Sequence, residues 1–446
     1  YALVAFLDIE GAFNNIMPSV ITVALTRLGV DHLIVGLINQ LLKCRTVEAT
    51  LGTSTATRLV NRGTPQGGVL SPLLWNVAVN ELLQIIEGGG CSVFAYADDI
   101  AIAFSGRFPQ TLCDCMSLKL KKLSDWATKS GLGVNPSKTE LVLFTRKYKV
   151  PVLKPPLLKG TPLKFSQTAK YLGLILDSKL NWNLMLEDRV RKANIALYTC
   201  KKAIGLKWGM SPQIVRWLYI AIIRPILTYG IVTWWPILEN KSSLKKLITV
   251  QRTAELCISG GLRTTPTDAL DSILHILPID LYGKQTAVNS ALRMRESGNW
   301  KASSGRHSNI LNNYAIIPKH TDYCVPSEYL HTPFSTYIPD REEWNGSIPG
   351  PLNAIHLYTD GSKLDNHTGG GVFSEDLNIN FSFRLPDVCS VFQAEVMAVR
   401  EALLHITPKY YGKEVCIFSD SQAAIKSLGS ISSNSKVVNA CRRSLM

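Results

Sequence analysis

Two adjacent carboxylates, Asp98 and Asp99, lie between two apolar runs of the chain. Apolar, β-prone residues on both sides of a short polar step are typical of a hairpin, so both acids are predicted at its tip. Held side by side on an apolar turn, they repel each other, and a bound divalent cation is the usual remedy. A third carboxylate, Asp8, ends another buried-strand pattern. Three such groups suit a site where two Mg²⁺ ions bridge reacting phosphates.

An Asp-Asp pair alone is more often a solvated turn than a metal site. A second motif, which lies between Asp8 and Asp98, changes that balance. It runs from Arg62 to Pro72, holds three glycines and two prolines, and leads into a helix-like segment over Leu73–Ile86. A glycine-rich loop before a helix lets the backbone come close to an anionic ligand. The loop and the acids together favour phosphate chemistry.

A second set of three acids lies near the C-terminus. Asp360 and Asp420 each follow a strand pattern, and Glu395 lies in a predicted helix over Phe392–His405. Two acids at strand ends and one facing them from a helix could hold Mg²⁺ against a phosphate while a metal-bound water attacks it. Each acid alone also fits a cap or a turn, so this prediction depends on the ordered set.

The composition is that of a globular protein, with 46% hydrophobic and 18% charged residues in 446. This length predicts about three domains. The ten cysteines show no paired spacing typical of zinc, and a reducing compartment is the default expectation. The longest apolar stretch of residues 138–263, Trp217–Ile223, is too short to cross a bilayer. Because the chain opens inside a strand pattern without an initiator Met, we expect it to be an excised fragment.

The net charge of +14 is concentrated in one segment. Residues 138–263 carry 22 Lys and Arg against six Asp and Glu. A basic segment directly after the candidate site favours a polyanionic partner, and the alternative is a solvated basic face. Five tryptophans could stack on bases, but at helical spacing we expect most of them in the core. They are Trp182, Trp208, Trp217, Trp234 and Trp235.

Periodicity predicts alternating strands and helices, an α+β arrangement, in the first 145 residues. Predicted helices cover Ser19–Leu28, His32–Leu42, Leu112–Ser130, Leu184–Ile204 and Pro212–Tyr229. A strand pair is predicted around Thr46–Leu59, and Tyr171–Asp177 is predicted as one short strand with a glycine in its middle. Residues 296–350, rich in Ser, Asn, His and Pro, are interpreted as a linker.

Five motifs resemble, in order, those of the reverse transcriptases of LINE-type non-LTR retrotransposons. They are Phe6–Asn14, Gly63–Gly67 with Ser71-Pro72, Tyr96–Asp99, Asn135–Thr139 and Tyr171–Gly173. The resemblance implies a palm over 1–145 with most of the fingers missing upstream, a primer grip and basic helical thumb over 146–265, and a connection and linker over 266–350. Residues 351–446 resemble the α/β ribonuclease H domain that some of these elements carry, truncated at its C-terminal end.

The resemblance also implies roles for single residues. Asp8, Asp98 and Asp99 would be the catalytic acids that hold two Mg²⁺ ions, with Asp99 as a nearby third carboxylate. In the ribonuclease H segment, Asp360, Glu395 and Asp420 would be the catalytic acids and would hold two more. The enzyme implied is an RNA-directed DNA polymerase that extends a primer by two-metal transfer, with a nuclease that cleaves RNA in RNA:DNA hybrids.

Further residues match the nucleotide and primer sites of this family. Phe13 matches a bulky gate that leaves no room for a ribose 2'-hydroxyl, and a core phenylalanine is the alternative. Lys138 matches a lysine near the triphosphate, and a surface lysine in a turn is nearly as good an interpretation. Gln66 and Gly67 match residues that line the nucleotide and the template strand. The primer grip would be Tyr171, Leu172 and Gly173.

The partners implied are an RNA template, a DNA primer, an RNA:DNA hybrid and dNTP, with no membrane. An upstream endonuclease and the fingers of the same polyprotein are also expected. By the same resemblance, the protein is expected in the nucleus. The family's fingers strands would precede Tyr1, and a fourth ribonuclease H carboxylate would follow Met446. We therefore expect neither activity to be robust in this chain alone.

Two other classes of protein fit parts of the sequence. A decayed or truncated element product would fold and bind nucleic acid through residues 138–263 without catalysis. The intact acids oppose that interpretation, and the cut ends favour it. A cellular relative, such as a telomerase-like or intron-encoded enzyme, is disfavoured by the ribonuclease H segment.

Overall fold

The computed structural model describes residues 1–202, 209–300, 308–312, 322–329, 333–339, 354–365, 367–406 and 412–445. The chain divides into two compact units. The first unit comprises Tyr1–Gly230 and Glu239–Ile279, and the second comprises Ile231–Leu238 and Asp280–Met446. One prediction, that of Trp208 in the core, lies outside the described residues, as does much of the interval interpreted as a linker.

The first unit mixes short strands with longer helices. Its first part contains β1 (Ala2–Glu10), α1 (Ala12–Asn15), α2 (Pro18–Arg27), α3 (His32–Lys43), β2 (Arg45–Leu51), β3 (Ser54–Val60), α4 (Ser71–Ile86), β4 (Cys91–Tyr96), β5 (Asp99–Ser105), α5 (Pro109–Lys129), β6 (Gly133–Val134) and β7 (Glu140–Phe144). There follow β8 (Leu157–Leu158), β9 (Thr161–Pro162), β10 (Phe165–Ser166), β11 (Thr168–Tyr171), β12 (Leu174–Asp177), α6 (Asn183–Lys201), α7 (Pro212–Leu218), α8 (Arg224–Leu227), α9 (Ile231–Trp234, in the second unit), α10 (Lys241–Ser259) and α11 (Thr267–Ile273).

The central sheet of the first unit has the strand order β10-β7-β1-β5-β4, with β6 paired to the end of β1. Because side chains alternate across a strand, β1 serves two layers. Leu3, Leu7 and Ile9 point into the main core, which α2, α4 and α5 help to form. Phe6 lies on the other face and packs in a smaller cluster with β11 and β12. Asp8 shares that second face by the same alternation.

The predicted α+β arrangement is confirmed, but one local prediction was wrong. Tyr171–Asp177 is not a single strand, because β11 and β12 form an antiparallel hairpin. Leu172 and Gly173 make its turn, with φ of 47° and 76°. Positive φ at both central residues matches the right-handed strand twist, and glycine adopts it without steric cost.

Helices form the rest of the first unit, where a buried polar chain links the π-helical turn Tyr219–Ile223, between α7 and α8, to α10 and α11. The Tyr219 hydroxyl donates to Gln251 Oε1 at 2.9 Å, and Gln251 Nε2 donates to Asp271 Oδ1 at 2.6 Å. Next to them, Glu255 on α10 is fully buried. Burial, and then the neighbouring Asp271 carboxyl, raises the pKa of Glu255 to about 8. Glu255 is therefore neutral in the fold at pH 7.

This buried acid gives a pH-dependent stability that Glu255→Gln is expected to remove. The pKa of Glu255 is about 8 in the fold against 4.5 as its ordinary value, so its contribution is present below pH 4.5 and is lost as the pH rises to about 8. The variant should match the unaltered chain near pH 5 and exceed it at pH 8, by about 3 kcal/mol in free energy of unfolding. Thermal melts of the first unit at both pH values measure this difference, with the exposed Glu48→Gln as control. A difference that does not change with pH would contradict it.

The second unit carries its own sheet. Its elements after α9 are α12 (Ile279–Glu296), β13 (Tyr323–Tyr329), β14 (Ile355–Leu364), β15 (His367–Ser374), β16 (Ile379–Leu385), α13 (Val391–Leu404), β17 (Val415–Ser419), α14 (Gln422–Leu428), β18 (Ser432–Ser435) and α15 (Lys436–Ser444). The strand order is β16-β15-β14-β17, with β17 parallel to β14 and the other pairs antiparallel. Inside the interval interpreted as a linker, β13 pairs with β18.

Three of the five tryptophans discussed above, Trp182, Trp234 and Trp235, are buried, as expected, whereas Trp217 is 62% exposed. Within the part of the chain that the structure describes, no single helix has the length and apolar composition of a membrane span. One bent pair, Pro212–Leu227 with Ile231–Glu239, meets both criteria.

Candidate active sites

The first candidate site lies where β1 meets the β4–β5 hairpin. Asp8 is the direct cross-strand partner of Asp99, and Tyr96 pairs with Asp99 from the other side. The hairpin turns at Ala97 and Asp98, with Ala97 at φ 53°. The Ile9 amide donates to the Asp98 carbonyl at 3.3 Å, which ties this turn to β1. Directly opposed side chains lie about 5 Å apart at Cβ, so the register places Asp8 beside Asp99, and Asp98 is the turn residue directly before Asp99.

The charges of these acids are coupled. Burial raises the pKa of Asp99, and the negative charges of Asp98 and Asp8 raise it further. Lys138 is the nearby cation, with Nζ 3.8 Å from Asp8 Oδ2 and 3.3 Å from Glu10 Oε1. The structure thus brings Lys138 to the predicted site. An anionic cluster with one cation beside it suits ligands that combine divalent metal and phosphate.

The glycine-rich loop lies against the turn that follows β1. The Thr64 amide donates to the Phe13 carbonyl at 2.6 Å, and the Gly63 amide donates to the Ile16 carbonyl at 2.8 Å. A Cβ on Gly63 would lie 2.4 Å from the Asn14 carbonyl oxygen, so this contact requires glycine. Gln66 and Gly67 lie exposed further along the loop. Phe13 is half-buried, with its ring centroid 5.5 Å from that of Trp75.

Trp75 on α4 is a residue that the sequence analysis missed. It is 1% exposed, and its Nε1 donates to the Ala97 carbonyl at 2.7 Å. One indole therefore supports both the turn that carries Asp98 and the ring of Phe13. Ser71 belongs to the glycine-rich motif, and Trp75 lies four positions after it in the sequence. This spacing is the local signal that could have connected Trp75 with the loop.

We expect Trp75→Phe to slow metal-dependent chemistry at this site about fivefold. The variant keeps an aromatic ring in the core but loses the hydrogen bond that holds the Ala97 carbonyl, and about 1 kcal/mol corresponds to a severalfold change. The measurement is the turnover of primer extension at saturating substrate. The matched control is Trp126→Phe, a buried tryptophan of the same core whose Nε1 has no partner among the described residues. Equal effects in both variants would refute a specific role for Trp75.

The hairpin predicted as the primer grip packs beside the same acids. The Tyr171 ring lies 5.3 Å from that of Phe6, two positions before Asp8 on the same face of β1. Burial raises the pKa of Tyr171, and so does the charge of Asp99. Leu172 and Gly173 form the turn that follows. All three predicted grip residues are therefore close to one another, and Tyr171 lies within electrostatic reach of the carboxylates.

The second candidate site lies on the sheet of the second unit. Asp360 is on β14, Asp420 directly follows β17, and Glu395 is on α13. One carboxylate oxygen from each residue lies within 4.8 Å of those of the other two. Parallel pairing explains the position of Asp420, because Thr359 on β14 is the partner of Ser419 on β17. The sequence-predicted trio is thus brought together.

Gly361 allows α13 to approach β14 closely enough for this geometry. A Cβ at position 361 would lie 2.4 Å from the Glu395 backbone nitrogen. Glu395 is only 5% exposed, and its Oε2 is buried without a hydrogen-bond partner among the described residues. Burial, and then the negative charges of Asp420 and Asp360, raise the pKa of Glu395 to about 7. A buried carboxylate oxygen without a donor, facing two more acids, is a set that fits a divalent cation.

Comparison with known proteins finds two matching families. Residues 1–176 match the family described as reverse transcriptase (RNA-dependent DNA polymerase), and residues 352–444 match the RNase H family. The chain therefore contains a reverse transcriptase domain followed by a ribonuclease H domain. Both families act on nucleic acids and generally use divalent metals.

Three of this chain's relatives are proteins of mobile elements. A 115 kDa protein in the type-1 retrotransposable element R1DM of Drosophila melanogaster is 25% identical over 295 residues, 66% of this chain and 28% of its own. The Pol polyprotein of an R1 element of Nasonia vitripennis is 22% identical over 223 residues, 49% of this chain and 66% of its own. The RNA-directed DNA polymerase from the Drosophila melanogaster mobile element jockey is 26% identical over 274 residues, which are 58% of this chain and 29% of the relative. These relatives are proteins of R1 and jockey elements, which are LINE-type non-LTR retrotransposons, and this chain is similar to them.

This chain spans less than a third of the length of the R1DM and jockey relatives. Among solved structures, the apo telomerase of Candida tropicalis is 9% identical and covers 69% of this chain, and this chain covers 52% of it. The TM-score is 0.34.

Proposed function

We propose that this chain is the catalytic part of an RNA-directed DNA polymerase that extends a DNA primer on an RNA template. In its second unit we propose a ribonuclease H that cleaves RNA in the RNA:DNA hybrid. The observation that carries the first proposal is the cross-strand pairing of Asp8 with Asp99 beside the Asp98 turn. The observation that carries the second is the carboxylate trio within 4.8 Å.

In the polymerase site, Asp8 and Asp98 would hold two Mg²⁺ ions, with Asp99 as a third carboxylate. When bound, the ions supply charge neutralisation for a triphosphate and lower the pKa of the attacking hydroxyl. The chain's own contribution is placement. Pairing of β1 with β5 fixes Asp8 opposite Asp99, and the Ile9 hydrogen bond holds Asp98 beside them. This pre-organisation lets the acids bind cations without a costly rearrangement.

The neighbouring residues would bind and select the nucleotide. The half-buried Phe13 ring, supported by Trp75, would close the space that a ribose 2'-hydroxyl needs and so favour dNTP. Gln66 and Gly67 would line the nucleotide and template. Lys138 lies between Asp8 and Glu10, where its ammonium could meet the triphosphate and give a proton to the leaving pyrophosphate.

In the second unit, Asp360, Glu395 and Asp420 would hold two Mg²⁺ ions at the scissile phosphate of the RNA strand. Bound there, the ions supply an activated water and stabilise the leaving oxygen. With its pKa at about 7, Glu395 is ionised in most molecules above neutral pH, and ionisation is what metal binding requires. Gly361 keeps α13 close enough for Glu395 to reach the other two acids.

The wider organisation is also a proposal. We assign the palm to residues 1–145, the primer grip and basic thumb to 146–265, the connection to 266–350 and the ribonuclease H domain to 351–446. The basic segment would track backbone phosphates without reading sequence. An endonuclease and fingers from the same polyprotein, and a nuclear location, complete the proposal.

The test is Mg²⁺-dependent extension of a primed RNA template with dNTPs, together with cleavage of a labelled hybrid. Both assays should use this chain alone and this chain joined to the residues that precede the matched region in the jockey relative. Extension and cleavage that disappear with EDTA and return with Mg²⁺ support the proposal. Salt-sensitive hybrid binding in both proteins, with neither reaction, would refute catalysis and favour the alternative of a nucleic-acid-binding product.

A further inference from the structure

The turn between β11 and β12 is held from outside by two side chains far along the sequence. The Tyr229 hydroxyl donates to the Leu172 carbonyl at 2.9 Å. Arg189 Nη2 donates to the Gly173 carbonyl, the next one along, at 3.2 Å. The Arg189 guanidinium also lies over the Tyr229 ring, 5.3 Å from its centroid. Both carbonyls of the turn are thus bound by one stacked Arg–Tyr pair.

Arg189 is itself fixed by an ion cluster on α6. Its side chain is 7% exposed and donates to Asp188 Oδ2 at 2.6 Å. Lys192 and Arg191 reach the same carboxylate at 2.7 and 2.8 Å. Burial alone would raise the pKa of Asp188, but hydrogen bonds from Lys192, Arg191 and Arg189 hold it at about 2. The carboxylate therefore stays charged, and the buried guanidinium, whose Nη2 donates to both Asp188 and the Gly173 carbonyl, is a rigid support.

The turn and the residue that follows it are closely packed against Tyr229 and Gly230. A Cβ on Gly173 would lie 3.2 Å from Cε1 of Tyr229. A Cβ on Gly230 would lie 2.6 Å from Cδ2 of Leu174. Leu172 is also in the left-handed region, which costs a non-glycine residue about 1 kcal/mol or more and persists only where the surroundings impose it. The Leu172–Gly173 turn thus contacts Tyr229, and Leu174 contacts the adjacent Gly230.

We propose that Arg189 and Tyr229 are positioning residues for the polymerase reaction, which act by fixing the Leu172–Gly173 turn beside the catalytic acids. This inference rests on the proposed function. The pair transmits the position of α6 and of the end of α8 to the hairpin that packs on Phe6. The helices would track the duplex, and the turn would meet the primer terminus. Arg189 and Tyr229 hold these two parts rigidly together.

The test compares Tyr229→Phe with Tyr148→Phe, the same change at a tyrosine that is 92% exposed. Loss of one hydrogen bond to the turn should raise the KM for primer about fivefold, with the KM for dNTP little changed. Arg189→Lys keeps a charge beside Asp188 but removes the planar donor and should act in the same direction. Because both residues act on one turn, the double variant should lose less than the product of the two single effects. An unchanged primer KM, or fully multiplicative effects, would overturn the proposal.

A second measurement does not depend on catalysis. Amide hydrogen exchange of the Thr168–Asp177 hairpin should become severalfold faster in Tyr229→Phe and unchanged in Tyr148→Phe, since local opening follows local stability. If neither this chain nor the chain joined to the preceding jockey residues extends a primer, the proposed function is lost, and the exchange experiment still decides whether Tyr229 fixes the turn. Unchanged exchange in Tyr229→Phe would refute it whatever the activity.

Discussion

Replacing Asp98 by asparagine is expected to reduce primer extension by at least about a thousandfold. The substitution keeps the size and the turn geometry of the side chain but removes one of the negative charges beside Asp8 and Asp99. A loss of about 4 kcal/mol of transition-state stabilisation corresponds to this factor, and direct metal contacts contribute several kcal/mol. The effect should appear in turnover, because the charge acts on the reacting phosphate, while hybrid binding through the basic segment remains.

The control for this prediction is Asp125→Asn, the same change at an exposed aspartate on α5 of the same unit. It should extend primer like the unaltered chain. In Asp98→Asn the pKa of Asp99 should also fall, because the charge of Asp98 is one of the causes that raise it. A titration of Asp99 by NMR would show this shift without any substrate. Extension that survives Asp98→Asn would remove the polymerase proposal.

The convergence of the acids could be predicted because strands and turns have simple geometry. A carboxylate at the end of one buried strand and a pair at a hairpin tip meet when the strands are neighbours, and β1 is indeed the neighbour of β5. The same argument applies to Asp360 and Asp420, which lie on the paired strands β14 and β17 or directly after them. In both units, strand alternation determines which side chains share a face, and it is visible in the sequence.

Contacts between distant side chains carried no such signal. Trp75 supports Ala97 across 22 positions, and Tyr229 supports Leu172 across 57. Neither sequence separation is one that the repeat of a helix or a strand would produce, so periodicity does not indicate these contacts. The β11–β12 turn was missed for a different reason, since Leu172-Gly173 lacks the Asn or Asp that usually marks a type I′ turn. Here tertiary packing from Tyr229 imposes the positive φ that the local sequence does not favour.

The excess of basic residues in one segment was visible in the sequence, but the ion pairs that some of them form were not. Part of the excess in residues 138–263 is used internally, because Arg189, Arg191 and Lys192 all bind Asp188. Lys138 is paired in a similar way with Glu10 and Asp8. Charge counts alone therefore overstate the free positive surface. The salt dependence of hybrid binding measures the number of phosphate contacts that remain.

In the second unit, Glu395→Gln is expected to reduce cleavage of hybrid RNA by about a thousandfold or more. The glutamine fills the same space against Gly361 but offers a neutral oxygen where the buried Oε2 faces Asp360 and Asp420. Loss of one anionic ligand weakens a divalent site and removes charge stabilisation worth several kcal/mol. The assay belongs at pH 8, because the pKa of Glu395 is about 7 and the unaltered carboxyl is then mostly ionised.

Two comparisons make this result specific. Glu401→Gln changes another glutamate of α13 that is not among the three clustered acids, and it should leave cleavage unchanged. Primer extension by Glu395→Gln should also equal that of the unaltered chain, since the polymerase acids belong to a different unit. The variant should melt at a slightly higher temperature above pH 7, because it no longer buries a charge beside two acids. Cleavage that persists in Glu395→Gln with normal Mg²⁺ dependence would show that the three acids are not the nuclease site.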